Sequence, residues 1–225
     1  MGPYAKEELL ACVVARLLGG ARHAAIGASS PIPATAAFLH QCNDAAFRVT
    51  LQQRRAANPL TEGSRELFDL AGQGRLDVFF LGGAQIDGEA SINLVTAEGR
   101  RFPGSFGSAY LYPIVPRVIL FREEHSRRTL VPKVDFVSAR GTPAALVTGK
   151  ALFSWQRDQR RFRLESFHPG SSAQDVQANT GFDYDVSSSL AVTREPAEEE
   201  LKILRNKVAR QIAPDYPDFA RRVWG

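Results

Sequence analysis

Residues 82–108 concentrate the groups best suited to chemistry. Gly82-Gly83 directly follow a short apolar run, and paired glycines allow either a positive φ or a close approach of the backbone to another group. Gln85 and Asp87 are spaced two apart, so in extended chain they share a side. Together Gly82, Gly83, Gln85 and Asp87 are candidates for shaping a substrate pocket. Farther on, Phe102-Pro-Gly-Ser-Phe-Gly-Ser is a glycine-bearing loop. Its segment Gly104, Ser105, Phe106, Gly107 and Ser108 can aim backbone N–H groups at an anion or a developing oxyanion.

Three other stretches carry polar groups. Gln52-Gln53-Arg54-Arg55 is polar and cationic; it is either a solvated loop or, through Gln52 and Arg54, a partner for an anionic group. Ser29 and Ser30 precede Pro31, where they serve as turn and cap residues or line a ligand site. Glu123-Glu124-His125-Ser126-Arg127-Arg128 is the densest charged cluster, either an exposed charge run or a setting in which His125 acts as acid or base. His125 has no His or Cys at metal-ligand spacing, so no metal site is expected.

Strands alternating with helices must position these groups. Residues 5–18 have helical apolar spacing, acids in the first turn and Gly19-Gly20 after the end. Residues 23–33 read as a strand and turn leading into a helix from Ala34, with Pro33 near its start. Phe47–Leu51 reads as a strand, Ser64–Gly72 as a helix capped by Ser64, and Leu76–Leu81 as a strand buried on both faces. Arg117–Phe121, Val134–Ser138 and Ala144–Thr148 read as further strands, with a short helix or turn at Tyr110–Pro113. Ala151–Trp155 and Arg161–Phe167 alternate about a polar turn and predict a β-hairpin at a sheet edge, its arginines outward. A short helix capped by Ser171 or Ser172 follows, then a helix over 195–212 and a tail. This order predicts an α/β fold with a mostly parallel sheet in a single domain over 1–225.

The motifs also carry a resemblance. Leu81-Gly-Gly-Ala-Gln-Ile-Asp87, Ile92-Asn93 and Phe102-Pro-Gly-Ser-Phe-Gly-Ser108 follow in order, then Arg127-Arg128 with Val134-Asp-Phe-Val-Ser138, then His168-Pro169 and Asn179-Thr-Gly-Phe-Asp-Tyr-Asp-Val186. These blocks cover most of the chain, which resembles the β subunit of family I coenzyme A-transferases of the glutaconate type. The resemblance implies an open three-layer α/β/α domain ending in the β-hairpin and helix. It implies coenzyme A as a substrate thioester, and a homologous α subunit as partner in a heterodimer or heterotetramer, with the active site at their interface. Gly104–Ser108 would then be the CoA and oxyanion loop.

One departure changes the expected chemistry. The family's second strand ends in a glutamate that attacks the acyl-CoA. That position falls here on Leu51 or Gln52, and neither can form a mixed anhydride. Glu62 is the nearest downstream acid. The resemblance therefore implies an acyl-CoA-processing subunit without a glutamyl-CoA intermediate on this chain. Alternatives are a relative that hydrolyses, cleaves a C–C bond or decarboxylates, with the acid on the α subunit, and a non-catalytic CoA-binding or structural subunit.

Composition sets outer limits. A net charge of +4 with a pI near 9.3 suits an anionic cofactor, but the charge is not focused and no nucleic-acid motif accompanies it. No signal peptide or membrane-length apolar run is evident, and Cys12 and Cys42 lack a C-x-x-C pattern. Buried free thiols and a cytoplasmic location are expected, with neither nucleic acid nor membrane as partner.

Overall fold

The computed structural model describes residues 3–55 and 58–225. They fall into two compact units, one from residues 1–78 and 194–225, the other from residues 79–193.

The first unit opens with α1 (Lys6–Arg16), β1 (His23–Ile26), α2 (Pro31–Asn43), β2 (Arg48–Leu51) and α3 (Ser64–Gly72). Helix α1 buries a continuous run from Glu8 to Ala15, because its apolar residues nearly encircle it. Its first turn is closed by the Ala5 N–H donating to Glu8 Oε2 at 2.9 Å. Strands β1 and β2 pair in parallel, with Ile26 opposite Leu51. Helix α2 begins with Pro31 at its first position, three residues before the expected start. Helix α3 is capped by Gly63 at φ 62°, not by Ser64, which is already helical.

The second unit opens with β3 (Val78–Leu81), buried along its whole length as the continuous apolar run predicts. A small sheet follows from β4 (Gln85–Ile86) and β5 (Ser91–Asn93), then a hairpin from β6 (Thr96–Ala97) and β7 (Arg100–Arg101). Next come α4 (Ser108–Ile114), β8 (Arg117–Arg122), β9 (Ala139–Arg140), β10 (Ala145–Thr148), β11 (Ala151–Gln156), β12 (Arg161–Phe167), α5 (Ala173–Asn179) and β13 (Asp185–Val192). In this unit the large sheet runs β13-β12-β11-β10-β8-β3, and β9 joins β4 and β5 in the small one. Pairs β8–β10 and β12–β13 are parallel, while β10–β11 and β11–β12 are antiparallel. The fold is thus mixed α/β with a mainly parallel central sheet. The core of the hairpin region is aromatic: Phe153, Trp155, Phe162, Phe182 and Tyr184 meet edge to face or tilted. Ser172 caps α5, accepting the Asp175 N–H at 3.1 Å.

The chain then returns to the first unit. Helix α6 (Glu198–Ile203) runs through a π-helical turn, Leu204–Val208, into α7 (Ala209–Ile212), and α8 (Pro217–Trp224) ends the chain. Arg205 reaches the buried Glu8 carboxylate with Nε and Nη2, each at 2.8 Å, and Trp224 Nε1 donates to it at 3.1 Å. Burial alone raises the Glu8 pKa, but these donors and the Ala5 N–H outweigh it and hold the carboxyl below its usual range.

Four expectations are corrected. Val134–Ser138 forms no strand, because side chains take the backbone N–H groups of Val134 and Asp135. The hairpin β11–β12 is not an edge, because β13 pairs outside it; the serine-rich run of β13 hides its strand character. The tail forms α8, which buries Phe219 and Ala220. Cys12 is a buried free thiol, pushed up to about 12 by burial, whereas Cys42 is only half-buried.

Candidate functional site

In open α/β sheets ligands gather beyond the carboxyl ends of the parallel strands. In the first unit those ends are Gly27–Ser30 after β1 and Gln52 after β2. Leu51 is buried to 1% exposure and points into the core. Gln52 continues the ladder, its N–H donating to Ile26 O at 3.0 Å. Its side-chain Nε2 is buried without a hydrogen-bond partner among the described residues. A buried donor left unpaired costs about 1–3 kcal/mol, so this one is poised to donate to an incoming oxygen. Of the two positions where the resemblance expects a glutamate, only Gln52 sits at the strand end with a side chain partly open.

Arg54 is committed elsewhere. Its Nε and Nη2 donate to Asp215 Oδ2 at 2.9 and 2.8 Å, and its guanidinium lies over the Phe38 ring at 5.1 Å. It fastens the C-terminal segment to α2 and β2 within the first unit. Ser29 is exposed in the turn after β1. Neighbouring Ala28 O accepts the Tyr216 hydroxyl at 2.7 Å. The start of α2 offers few donors to an anion, since Pro31 and Pro33 lack an N–H and Ala34 N–H is taken by Ser30 O. Glu62 is exposed and lies 3.5 Å from Arg65.

In the second unit, Gly82 and Gly83 resolve as close approaches rather than as positive φ. A Cβ on Gly82 would lie 3.0 Å from Phe121 O, and one on Gly83 would lie 2.6 Å from Gln85 O. Gln85 and Asp87 do share a side, and both are buried. Gln85 Oε1 accepts Asn93 Nδ2 and the Asp135 N–H, each at 2.9 Å. Asp87 Oδ1 accepts the N–H groups of Glu89 and Ser91 at 3.1 and 3.0 Å, and Oδ2 that of Val134 at 3.3 Å. Their polar atoms hold the walls of the β4–β5 turn and the 134–135 segment. They support the shape of a site more directly than they line one.

The Gly104–Ser108 loop is open. Gly104 has φ 118° and Phe106 φ 49°, and the Phe106 ring is 60% exposed. Ser105 O accepts both the N–H and the hydroxyl of Ser108, at 3.0 and 2.6 Å, which anchors the loop to the first turn of α4.

His125 is not an exposed charge-run residue. It is 6% exposed, with Nδ1 2.7 Å from Thr148 Oγ1 and Nε2 3.0 Å from Thr180 Oγ1. Thr180 gives its own proton to Val176 O, so Nε2 carries the imidazole hydrogen and Nδ1 accepts from Thr148. Burial first, and Lys150 after it, depress the pKa to about 4 despite opposing hydrogen bonding and Asp175. The ring is neutral and fully engaged.

Sequence reasoning gave Asn93 only as part of a motif, with no role, and passed over Arg122. Asn93 braces the glycine turn from the opposite strand, its Oδ1 accepting the Val95 N–H at 3.1 Å and its Nδ2 donating to Thr96 O at 2.5 Å. Arg122, at the carboxyl end of β8, shares Glu124 with Arg128; Arg122 Nη2 and Arg128 Nη2 lie 3.1 and 2.8 Å from Glu124 Oε2. The signal was an arginine closing a buried strand, hidden by the acid pair that follows. Two hollows, of about 240 Å³ beside His23, Thr50 and Arg75 and about 380 Å³ beside Leu164, Phe182 and Tyr184, include neither Gln52 nor the glycine turn.

Comparison with known proteins gives these strand ends a family. The B-type subunit of glutaconate CoA-transferase from Acidaminococcus fermentans is 28% identical over 58% of the chain, which spans 56% of that relative. The B-type subunit of 3-oxoadipate CoA-transferase from Pseudomonas knackmussii is 25% identical over 95% of the chain and 96% of the relative. The IpdB subunit of the cholesterol ring-cleaving hydrolase from Rhodococcus jostii is 29% identical over 63% and 62%. The chain thus spans little more than half the length of two of these relatives. Among solved structures, the decarboxylase AibA/AibB superposes with a TM-score of 0.79 at 26% identity, over 98% of this chain and 99% of that one. The family model described as Coenzyme A transferase matches residues 40–179, a stretch that includes β2, the glycine turn, the 104–108 loop and Arg122, and the chain belongs to that family.

Proposed function

We propose that this chain is the β-type subunit of a heteromeric enzyme that processes a coenzyme A thioester without forming a glutamyl-CoA intermediate on itself. The observation that carries the reading is the end of β2. Leu51 is buried and Gln52 bears an amide where the resemblance expects a nucleophilic carboxylate. Gln52 can hold a carbonyl oxygen by hydrogen bonding, but it cannot carry an acyl group. Within the second unit, the Gly104–Ser108 loop offers backbone N–H donors of the kind an oxyanion takes, and the Gly82–Gly83 turn packs closely on Phe121 O and Gln85 O.

The relatives named for glutaconate and 3-oxoadipate handle dicarboxylic acids, and the substrate proposed here is accordingly a CoA ester whose acyl group keeps a free carboxylate. The partner is a homologous α subunit, which contributes the groups that this chain lacks. Hydrolytic or decarboxylating chemistry is the second reading, supported by the same missing carboxylate.

The test is to purify the chain with its partner subunit and incubate the complex with CoA esters, with and without a carboxylate acceptor. Consumption of ester without acceptor, and no hydroxylamine-sensitive adduct on this chain, is the expected result. Acceptor-dependent exchange through such an adduct on this chain overturns it.

A further inference from the structure

At the carboxyl end of β8, Arg122 ends a parallel strand pair, opposite Thr148 of β10. Ligands of α/β sheets approach from this end. The guanidinium is partly open, with 36% of the side chain exposed, yet its Nε is buried and has no hydrogen-bond partner among the described residues. Among the described residues Nη2 bonds Glu124 Oε2 at 3.1 Å. Glu124 is also claimed by Arg128, whose Nη2 lies 3.0 and 2.8 Å from its two oxygens, and by the Ser126 hydroxyl at 2.8 Å. One carboxylate thus serves two guanidinium groups.

The surroundings fix the cluster in place. Thr129 Oγ1 bonds Glu124 O at 3.2 Å, and His125 is tied behind it to Thr148 and Thr180. On the other side Gly82 presses against Phe121 O, the carbonyl just before Arg122, so closely that a Cβ would sit 3.0 Å from it. The glycine turn and the arginine therefore meet at one strand end within the second unit.

We propose that Arg122 is a specificity-determining residue that binds the free carboxylate of the acyl group. The assignment rests on the functional reading above and adds to it the residue that selects the acyl chain. The diphosphate and ribose phosphate of coenzyme A together carry several negative charges and call for more than one cation. A guanidinium with an unused Nε also offers the planar geometry that a carboxylate takes in a paired hydrogen bond.

The experiment measures binding of glutaryl-CoA, butyryl-CoA and free coenzyme A to the complex of the full chain with its partner subunit. It compares wild type with Arg122→Gln, Arg122→Lys and Glu124→Gln, and each variant's thermal unfolding is recorded. Loss of a charge-assisted hydrogen bond predicts glutaryl-CoA weakened about 30-fold in Arg122→Gln, with butyryl-CoA and free coenzyme A changed less than about 3-fold. Arg122→Lys keeps the charge but not the fork, so an intermediate loss of about 5-fold is expected. Glu124→Gln releases a second cation and tightens glutaryl-CoA alone, which keeps the test decisive even where Arg122→Gln fails to fold. Equal weakening of all three ligands assigns Arg122 to the phosphates or to structure and overturns the proposal. So does binding of glutaryl-CoA unchanged in both arginine variants. If wild-type complex binds none of the three, the functional reading falls and takes this assignment with it.

Discussion

Gln85 and Asn93 face each other across the first register pair of β4 and β5, and the Asn93 amide donates to Gln85 Oε1 at 2.9 Å with both side chains buried. The pair closes a set of otherwise orphaned groups. Through Gln85 it satisfies the Asp135 N–H, and through Asn93 the N–H groups of Val95 and Thr96 and the Thr96 carbonyl. The turn at Gly82–Gly83 is packed directly against this pair, since Ala84 N–H donates to Asn93 O at 2.8 Å.

Replacing Asn93 by alanine leaves several of those groups without a partner. Each buried unsatisfied group costs about 1–3 kcal/mol, and relaxation recovers part, so a loss of about 3 kcal/mol is expected for Asn93→Ala in urea unfolding. Gln85→Leu, which strands fewer groups, costs less. Equal stability of Asn93→Ala and wild type contradicts the bracing role.

Gly83→Ala tests the close approach. The added methyl would meet Gln85 O at 2.6 Å, a backbone atom that cannot swing aside. Overpacking of this kind costs about 1–3 kcal/mol. Because the strain falls on the glycine turn, coenzyme A ester binding falls along with stability, whereas Gly20→Ala, where nothing lies within 4 Å of the added atom, carries only the cost of its positive φ.

How far these features were legible follows from where their causes lie. The buried run Val78–Leu81 and the turn after it are local, and composition alone announces them. That Gln85 and Asp87 share a side followed from strand geometry, but their targets, the N–H groups of Val134 and Asp135, lie about fifty residues on. The same long-range bonds erased the strand expected at Val134–Ser138. Arg54 and Glu8 show the limit again, as each is matched by a partner far along the chain, Asp215 at 161 residues and Arg205 at 197. Strand β13 escaped notice because its serines obscure the alternation that a solvent-facing strand usually displays.

His125 makes stability depend on pH in a stated direction. Its folded pKa is depressed to about 4 from an ordinary value of 6.5, so below 6.5 the unfolded chain takes up a proton that the folded chain refuses. The stabilisation is complete above pH 6.5 and is lost as pH falls toward 4, on the order of 3 kcal/mol over that window. His23, also depressed chiefly by burial, acts in the same direction. His125→Gln should flatten the pH dependence of urea unfolding between pH 4 and 6.5, measured against wild type; an unchanged slope contradicts burial of a neutral ring.

Glu8 acts lower on the pH scale. Its pKa is held below 4.5 by Arg205, the Ala5 N–H and Trp224 against the opposing effect of burial, so its contribution is present above 4.5 and is lost as pH falls below it. Removing Glu8 leaves a half-exposed Arg205 and the Ala5 and Trp224 donors without their acceptor, and Glu8→Ala is expected to cost about 1–3 kcal/mol at pH 7. The difference between Glu8→Ala and wild type should narrow below pH 4.5, and unfolding curves recorded at pH 7 and pH 3.5 check this.

Gln52→Glu tests the chemistry most directly. Leu51 is sealed in the core, so a carboxylate that is to meet a thioester has to stand at Gln52, whose backbone is fixed by its N–H bond to Ile26 O. The buried Nε2 becomes a carboxylate oxygen in a site that offers no partner, and desolvation raises its pKa, which strengthens its basicity and its nucleophilicity once ionised. The expected outcome is a new hydroxylamine-sensitive adduct on this chain and acceptor-dependent exchange in the complex, both absent from wild type. Gln52→Ala, which removes the amide without adding a nucleophile, should weaken ester binding about 5-fold and form no adduct. An adduct already present in wild type would place the nucleophile elsewhere and refute the assignment of this strand end. Absence of an adduct in Gln52→Glu, with ester still bound, would mean that the thioester carbonyl does not come within reach of β2.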